Sequence, residues 1–164
     1  MSDAEDTGLE KDEAGLRTVA DYQFGGDAGH VLFPEGNRFT VKRSSSGRPQ
    51  QVLVDAGRLV SLNVDGRFTL GIEGGRRLTA LDEPRNRVVV GDESEPFVRD
   101  GKNVFAKFVT RVDEELRPGD EALVVHENGD LLAVGRAELS ADAMHDFETG
   151  MAVKVREGAD GDGT

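Results

Sequence analysis

The sequence predicts an α+β fold in two small parts, and three observations predict it. Apolar residues switch along the chain between helical spacing and strand-like alternation. Asp-Gly and Asn-Gly turn signals stand between pairs of apolar runs. Pro84 interrupts the pattern near the middle. At 164 residues the chain suffices for one or two domains, each with a modest core. The expected division is a disordered acidic lead-in over 1–14, a small α/β domain over 15–84, a second domain over 85–157 and a disordered tail over 158–164.

Leu16, Val19, Ala20 and Phe24 recur at helical spacing, and Gly25-Gly26 supply a stop. Strand candidates follow at 38–43, 51–54 and 59–64, separated by polar, Gly-containing stretches at 44–49 and 55–57. Asp65-Gly66 predicts a hairpin into 68–72, and residues 73–81 a second helix with Leu78 and Leu81 inward. Beyond Pro84 come a β-branched run at 87–90, a short helix at 94–100, the loop Gly101-Lys102-Asn103 and a strand at 104–109. Runs at 122–125 and 131–134 flank an Asn128-Gly129 turn. Ser140 caps a helix carrying Met144 and Phe147, which Gly150 ends. The closing strand alternates, with Met151, Val153 and Val155 on one face and Ala152, Lys154 and Arg156 on the other.

Composition narrows the function classes. The chain has no cysteine, hence no disulfide framework, thiolate zinc site or cysteine nucleophile. No apolar run reaches membrane-spanning length, and the acidic start Met1-Ser2-Asp3-Ala4-Glu5-Asp6 is unlike a secretory signal, so a cytoplasmic location is expected. Net charge is −12, from 20 basic and 32 acidic residues. Few lysines and many aspartates are the surface chemistry of a halophilic protein. No phosphate loop, dinucleotide fingerprint or nucleophile elbow occurs, and no cofactor is expected. His30, His126 and His145 lack metal-ligand spacing, and His126 is expected to face solvent. The acidic runs at 113–115 and 120–121 read as solvated loops.

The stretch Phe97-Val98-Arg99-Asp100-Gly101-Lys102-Asn103-Val104-Phe105-Ala106-Lys107-Phe108-Val109 resembles the PUA domain, a small mixed β-barrel that binds RNA. Upstream, Ala20-Asp21-Tyr22-Gln23-Phe24-Gly25, Gly66-Arg67-Phe68-Thr69-Leu70, Glu73-Gly74 and Leu78 resemble the domain preceding the PUA module in archaeal tRNA-guanine (archaeosine) transglycosylase. The resemblance covers roughly 16–157 and implies a small α/β pre-PUA domain followed by a PUA-type barrel. The family's catalytic barrel and cysteine-rich zinc site have no counterpart, so neither base exchange nor any other catalysis is expected of these residues.

The resemblance implies an RNA-facing surface at the Gly101 loop and adjoining strands. Gly101 lets backbone approach a phosphate or ribose. Arg99 can grip phosphate with two donors and Lys102 supplies a point charge beside Asn103. Phe105 and Lys107, expected on one strand face, would serve base or ribose contact. Lys154 and Arg156 project from the last strand. A helix-capping glycine with solvated charges, a core Phe105 and a solvated β-strand face are the plain structural readings of the same residues. Arg136 reads as structural pairing, and Arg76-Arg77 with Arg38, Lys42, Arg43 and Arg48 as a possible basic track that is otherwise plain surface. The leading expectation is a non-catalytic binder of structured RNA, most plausibly the acceptor-stem region of tRNA, serving a separate tRNA modification enzyme. The alternatives are a protein–protein adaptor in RNA modification or ribosome assembly, its RNA groove degenerate, and an enzyme with an unrecognised site. A mixed-charge face around Gly101 favours RNA; a carboxylate-lined face favours the adaptor.

Overall fold

A computed structural model describes residues 2–36, 38–81, 85–147 and 149–159, with residues 2–12 as backbone alone. The chain divides into two compact units, residues 1–81 and 82–164. Pro84 and residues 160–164, where a break and a tail were expected, lie outside the described residues.

The first unit begins with helix α1 (Ser2–Phe24). The expected disordered lead-in is therefore helical from Ser2. Its acidic residues lie toward the positive end of the helix dipole, and Ala, Leu, Glu and Lys are strong helix formers. Gly25, at φ +104°, ends the helix by donating to Asp21 O at 2.9 Å. The carboxylate of Asp21 then accepts Gly29 N–H at 2.7 Å inside α2 (Ala28–Leu32), a short helix that periodicity did not reveal. Four antiparallel strands follow in sequence order: β1 (Thr40–Arg43), β2 (Pro49–Val54), β3 (Gly57–Leu62) and β4 (Phe68–Leu70). The Asp65-Gly66 signal lies in the β3–β4 hairpin, where Leu62 pairs with Phe68. Helix α3 (Ile72–Leu78) closes the unit, and Leu81 N–H bonds to Leu78 O in a tighter final turn.

Helices and sheet meet in one apolar layer. Leu16, Ala20, Phe24, Leu32, Phe33, Val52, Val60, Phe68, Leu70 and Leu78 are all buried. Phe33 stands edge-on to Phe39 and Phe68, with ring centroids 5.7 and 6.0 Å apart. Each such ring contributes on the order of 2–3 kcal/mol by leaving water. Gln23 fixes α1 to the sheet in both directions: its amide donates to Phe68 O at 2.9 Å and accepts Phe68 N–H at 2.7 Å.

The second unit is a six-stranded mixed sheet ordered β6-β10-β9-β8-β5-β7. Its strands are β5 (Arg87–Val90), β6 (Val104–Phe105), β7 (Val109–Val112), β8 (Glu121–His126), β9 (Leu131–Ala137) and β10 (Met151–Gly158). Among the described residues only β5 and β8 pair in parallel. The two edge strands, β6 and β7, are joined by a single 3-10 turn (Ala106–Phe108). So short a link holds the edges side by side and brings the sheet close to a barrel. Helices α4 (Glu95–Arg99) and α5 (Ala141–Asp146) complete the unit. Val88, Val90, Val98, Val104, Val112, Val124, Leu132, Met144 and Val153 form its core.

Three expectations are corrected here. Residues 104–109 are not one strand: the 3-10 turn removes the alternation that would have put Phe105, Lys107 and Val109 on one face. The closing strand does not alternate cleanly either. Register shifts at 151–153 and 155–157 leave both Ala152 and Val153 fully buried. Ser140 caps α5 as expected, its Oγ accepting Ala143 N–H at 3.2 Å. But α5 stops at Asp146, and Phe147 turns outward, 53% exposed.

Candidate nucleic-acid interface

Helix α4 ends in a Schellman turn. Gly101 N–H bonds to Val98 O and Lys102 N–H to Phe97 O, each at 2.9 Å, with Gly101 at φ +96°. The capping reading of Gly101 is thus realised, and it also shapes a surface. A Cβ at Gly101 would meet nothing within 4 Å, so the turn presents open backbone. Lys102 is exposed beside it and has no ion-pair partner among the described residues.

The turn is seated on β10. Asn103 Oδ1 accepts Val155 N–H at 2.9 Å. At Gly158 a Cβ would run into Arg99 O and Gly101 N, so only glycine allows this approach. β10 also pairs with β6, setting Met151 opposite Phe105 and Val153 opposite Val104. The fold therefore gathers Arg99, Gly101, Lys102, Asn103, Phe105, Lys154 and Arg156 along one strand. Phe105 is 45% exposed and not core. Lys107 lies a turn away, its Nζ 5.1 Å from the centroid of the Phe108 ring.

These groups differ in how engaged they are. Arg99 Nε donates to Glu95 Oε2 at 3.0 Å, with Asp130 at 3.9 Å from Nη2. Arg156 forms a two-pronged pair with Glu121, at 2.8 and 2.9 Å. Glu121 is buried, which corrects the solvated-loop reading at that position. Lys154 is exposed and directly opposite Arg136 on β9. Arg136 meets its expected carboxylate in Glu138, at 3.0 Å. Arg136, Lys154, Val155 and Arg156 line a shallow groove of about 230 Å³ without a carboxylate in its wall. Arg136 and Arg156 are each held by a carboxylate, Glu138 and Glu121, so Lys154 is the cation of this groove with no ion pair among the described residues. Sequence reasoning missed Arg136 as a groove wall because pairing with Glu138 and lining the groove are compatible roles.

His126 is buried, contrary to expectation. Its Nδ1 accepts Asn128 N–H at 3.0 Å, which places the neutral ring's proton on Nε2, 2.5 Å from Asp92 Oδ1. The Asp92 hydrogen bond raises the His126 pKa above the ordinary 6.5, with help from the charge of Glu95; burial opposes it. Asp92, Glu95 and His126 bring ligand atoms within 4.8 Å of one another. The ring nitrogen facing the carboxylates is a proton donor in this arrangement, which fits an ion pair tying β8 to the start of α4 better than a metal centre. A larger cleft, about 530 Å³, opens over β5 and β7. Its wall carries Arg87 and Arg111, with His126 and His145, against Asp113, Glu114 and Glu127, so its two guanidinium groups are outnumbered by carboxylates. No helix among the described residues is long and apolar enough to cross a membrane.

Comparison with known proteins gives the context. Residues 14–85 match the patch-forming domain C2 of tRNA-guanine transglycosylase, and residues 86–159 match the PUA domain. The tRNA-guanine(15) transglycosylase of Thermococcus kodakarensis is 44% identical over 163 residues, 95% of this chain and 28% of that protein. That of Pyrococcus abyssi is 47% identical over 148 residues, 89% of this chain and 25% of that protein. The chain spans about a quarter of the length of these curated relatives. The crystal structure of a hypothetical protein from Pyrococcus horikoshii superimposes with a TM-score of 0.70 at 25% identity, covering 91% of this chain and 90% of that one. A conserved PUA domain protein from Thermoplasma acidophilum gives 0.61 at 20% identity, covering 87% and 89%, which speaks to fold alone.

Proposed function

Since the chain belongs to the PUA-domain proteins, with the C2 and PUA domains of the transglycosylase in tandem, we propose that it binds structured RNA through its PUA unit. The target we assign is tRNA, at the acceptor-stem region. The observation that carries the reading is the surface along β10. Along that strand come an open glycine turn with Lys102 at one end, an exposed Phe105 at the other and the Arg136–Lys154 groove between them in register. Cations position phosphates, and an exposed ring can stack on an unpaired base or lie against a ribose. The groove wall is basic and the Gly101 turn is of mixed charge, which favours RNA over the adaptor reading. No catalytic step is assigned to these residues; chemistry on the RNA falls to a separate catalytic domain or modification enzyme.

The acidic composition shapes the mechanism we infer. In a halophilic cytoplasm near 1 M salt, the Debye length is about 3 Å, so long-range attraction contributes little. Affinity then rests on shape, 2′-OH contacts and stacking. Acidic surface elsewhere disfavours nonspecific RNA. The test compares total tRNA with a nonspecific duplex RNA in about 2 M KCl, using wild type and Lys102→Ala. Salt-resistant preference for tRNA that weakens in the variant is expected. Absence of tRNA binding at both high and low salt would overturn the reading in favour of the adaptor.

A further inference from the structure

His126 is the last residue of β8 and stands where the β8–β9 hairpin meets the start of α4. Its backbone belongs to the hairpin, donating to Asp130 O and accepting Gly129 N–H, each at 2.8 Å. Its ring belongs to the helix side. Nε2 lies 2.5 Å from Asp92 Oδ1 and 3.9 Å from Glu95 Oε1. The other oxygen of Glu95 accepts Arg99 Nε–H at 3.0 Å, one turn along α4. Asp130, on the hairpin, stands 3.9 Å from Arg99 Nη2. One carboxylate therefore faces both the imidazole and the guanidinium. The hairpin that carries His126 also carries a second anion beside Arg99.

The two protonation states of the ring are not equivalent in this setting. The neutral ring pins the hairpin tip, because Nδ1 accepts Asn128 N–H at 3.0 Å. A second proton must go to Nδ1, which can then no longer accept. Two N–H groups would face each other, and the tip has to give way. It has room to do so: residues 127–130 are exposed, and a Cβ at Gly129 would meet nothing within 4 Å. The new charge on the ring also draws Glu95, which leaves that carboxylate less committed to Arg99. The acid form thus loosens both Glu95 and Asp130 from the guanidinium.

The charges around the ring bring this change within reach of ordinary pH. Asp92, Glu95, Glu127 and Asp130 favour a charged ring, and Arg99 opposes it. The cleft over β5 and β7, whose wall includes His126, adds Asp113 and Glu114 against Arg87, Arg111 and His145. The Asp92 hydrogen bond is the largest influence and moves the ring upward from 6.5.

We propose that His126 is a positioning residue for RNA: its protonation releases Arg99 toward phosphate, so the PUA unit binds RNA more tightly as pH falls. This rests on the reading that the PUA unit binds RNA and says how one of its groups is controlled. By linkage, bound RNA must in turn favour the protonated ring.

The test is fluorescence anisotropy of labelled tRNA from about pH 5.5 to 8.5 at constant KCl. Wild-type affinity at the acid end should exceed that at the alkaline end by roughly fivefold or more, the low end of ordinary coupling between two sites. Asp92→Asn takes away the carboxylate bonded to the ring, so the rise should move to lower pH. The Asp92 side chain is 92% exposed, so the fold is spared. His126→Gln should abolish the rise, and His30→Gln/His145→Gln, at two exposed histidines, should keep it. NMR titration of the His126 ring should give a higher pKa with tRNA than without. Thermal melting verifies that each variant is folded; if His126→Gln is not, Asp92→Asn decides. Equal tRNA affinity across the range overturns the inference while the PUA reading stands. So does a rise that survives His126→Gln, that stays at the same pH in Asp92→Asn, or that vanishes with the two exposed histidines. Absence of tRNA binding at every pH overturns both.

Discussion

Replacing Arg156 by leucine should destabilise the second unit substantially, and the magnitude follows from its partner. The Glu121 side chain is 7% exposed and accepts two hydrogen bonds from Arg156, at 2.8 and 2.9 Å. Removing one member of a buried ion pair costs roughly 3–5 kcal/mol, because the remaining charge loses hydrogen bonds in a poor solvent. Arg156 itself keeps 28% of its side-chain surface, so water can replace part of what is lost. About 2–3 kcal/mol is therefore expected, just below that range. For a unit of this size each kcal/mol lowers Tm by roughly 4–8 °C, giving a fall of roughly 10–20 °C. Differential scanning calorimetry with far-UV circular dichroism would measure it. Glu121→Leu in the same chain should recover most of the loss, since two apolar side chains strand no charge. A Tm within about 3 °C of wild type for Arg156→Leu would refute the argument. The double variant also decides function: if it folds and binds RNA as wild type does, Arg156 holds the sheet together and does not contact RNA.

Gly101→Ala should cost about 1 kcal/mol, since φ +96° is strained for any residue with a Cβ although the space is open; urea denaturation would show it, and an unchanged midpoint would contradict the capping role. Phe105→Ala should leave stability nearly unchanged while weakening RNA binding by about 1–3 kcal/mol, or roughly fivefold to 150-fold, if the ring stacks on a base; equal affinity in anisotropy titrations would remove it from the site. His126 should titrate above 6.5 by NMR, and Asp92→Asn should lower that value. Its folded pKa is raised, so its contribution to stability is complete below the unfolded value. It is lost as pH climbs through the folded one, and Tm should fall over that window. A flat Tm from pH 6 upward would count against the Asp92 bond.

What was legible in the sequence was local. Asp65-Gly66 and Asn128-Gly129 marked two of the hairpins because turn geometry is set by a few adjacent residues. Ser140 marked the start of α5 for the same reason. Gly101 could be read as a cap because the Schellman turn is closed by bonds within six residues. The PUA likeness was carried by a continuous stretch around that turn.

Tertiary structure decided what depends on residues far apart in the chain. His126 precedes a turn, where exposure is the usual outcome, yet Asp92, 34 positions away, gives it a partner that makes burial tolerable. Glu121 belongs to an acidic run that reads as solvent-facing, and only the arrival of β10 supplies Arg156. The alternation of β10 and the 104–109 stretch failed where the sheet curls toward closure, because bulges and a 3-10 turn shift the period of two. Gly158 looked like the first residue of a tail, and it is the point where the Gly101 turn rests on β10. The sequence by itself determined which short segments turn, cap and alternate. The fold alone decided which cations end beside a carboxylate and which face solvent, because strand register, not chain distance, sets charge neighbours.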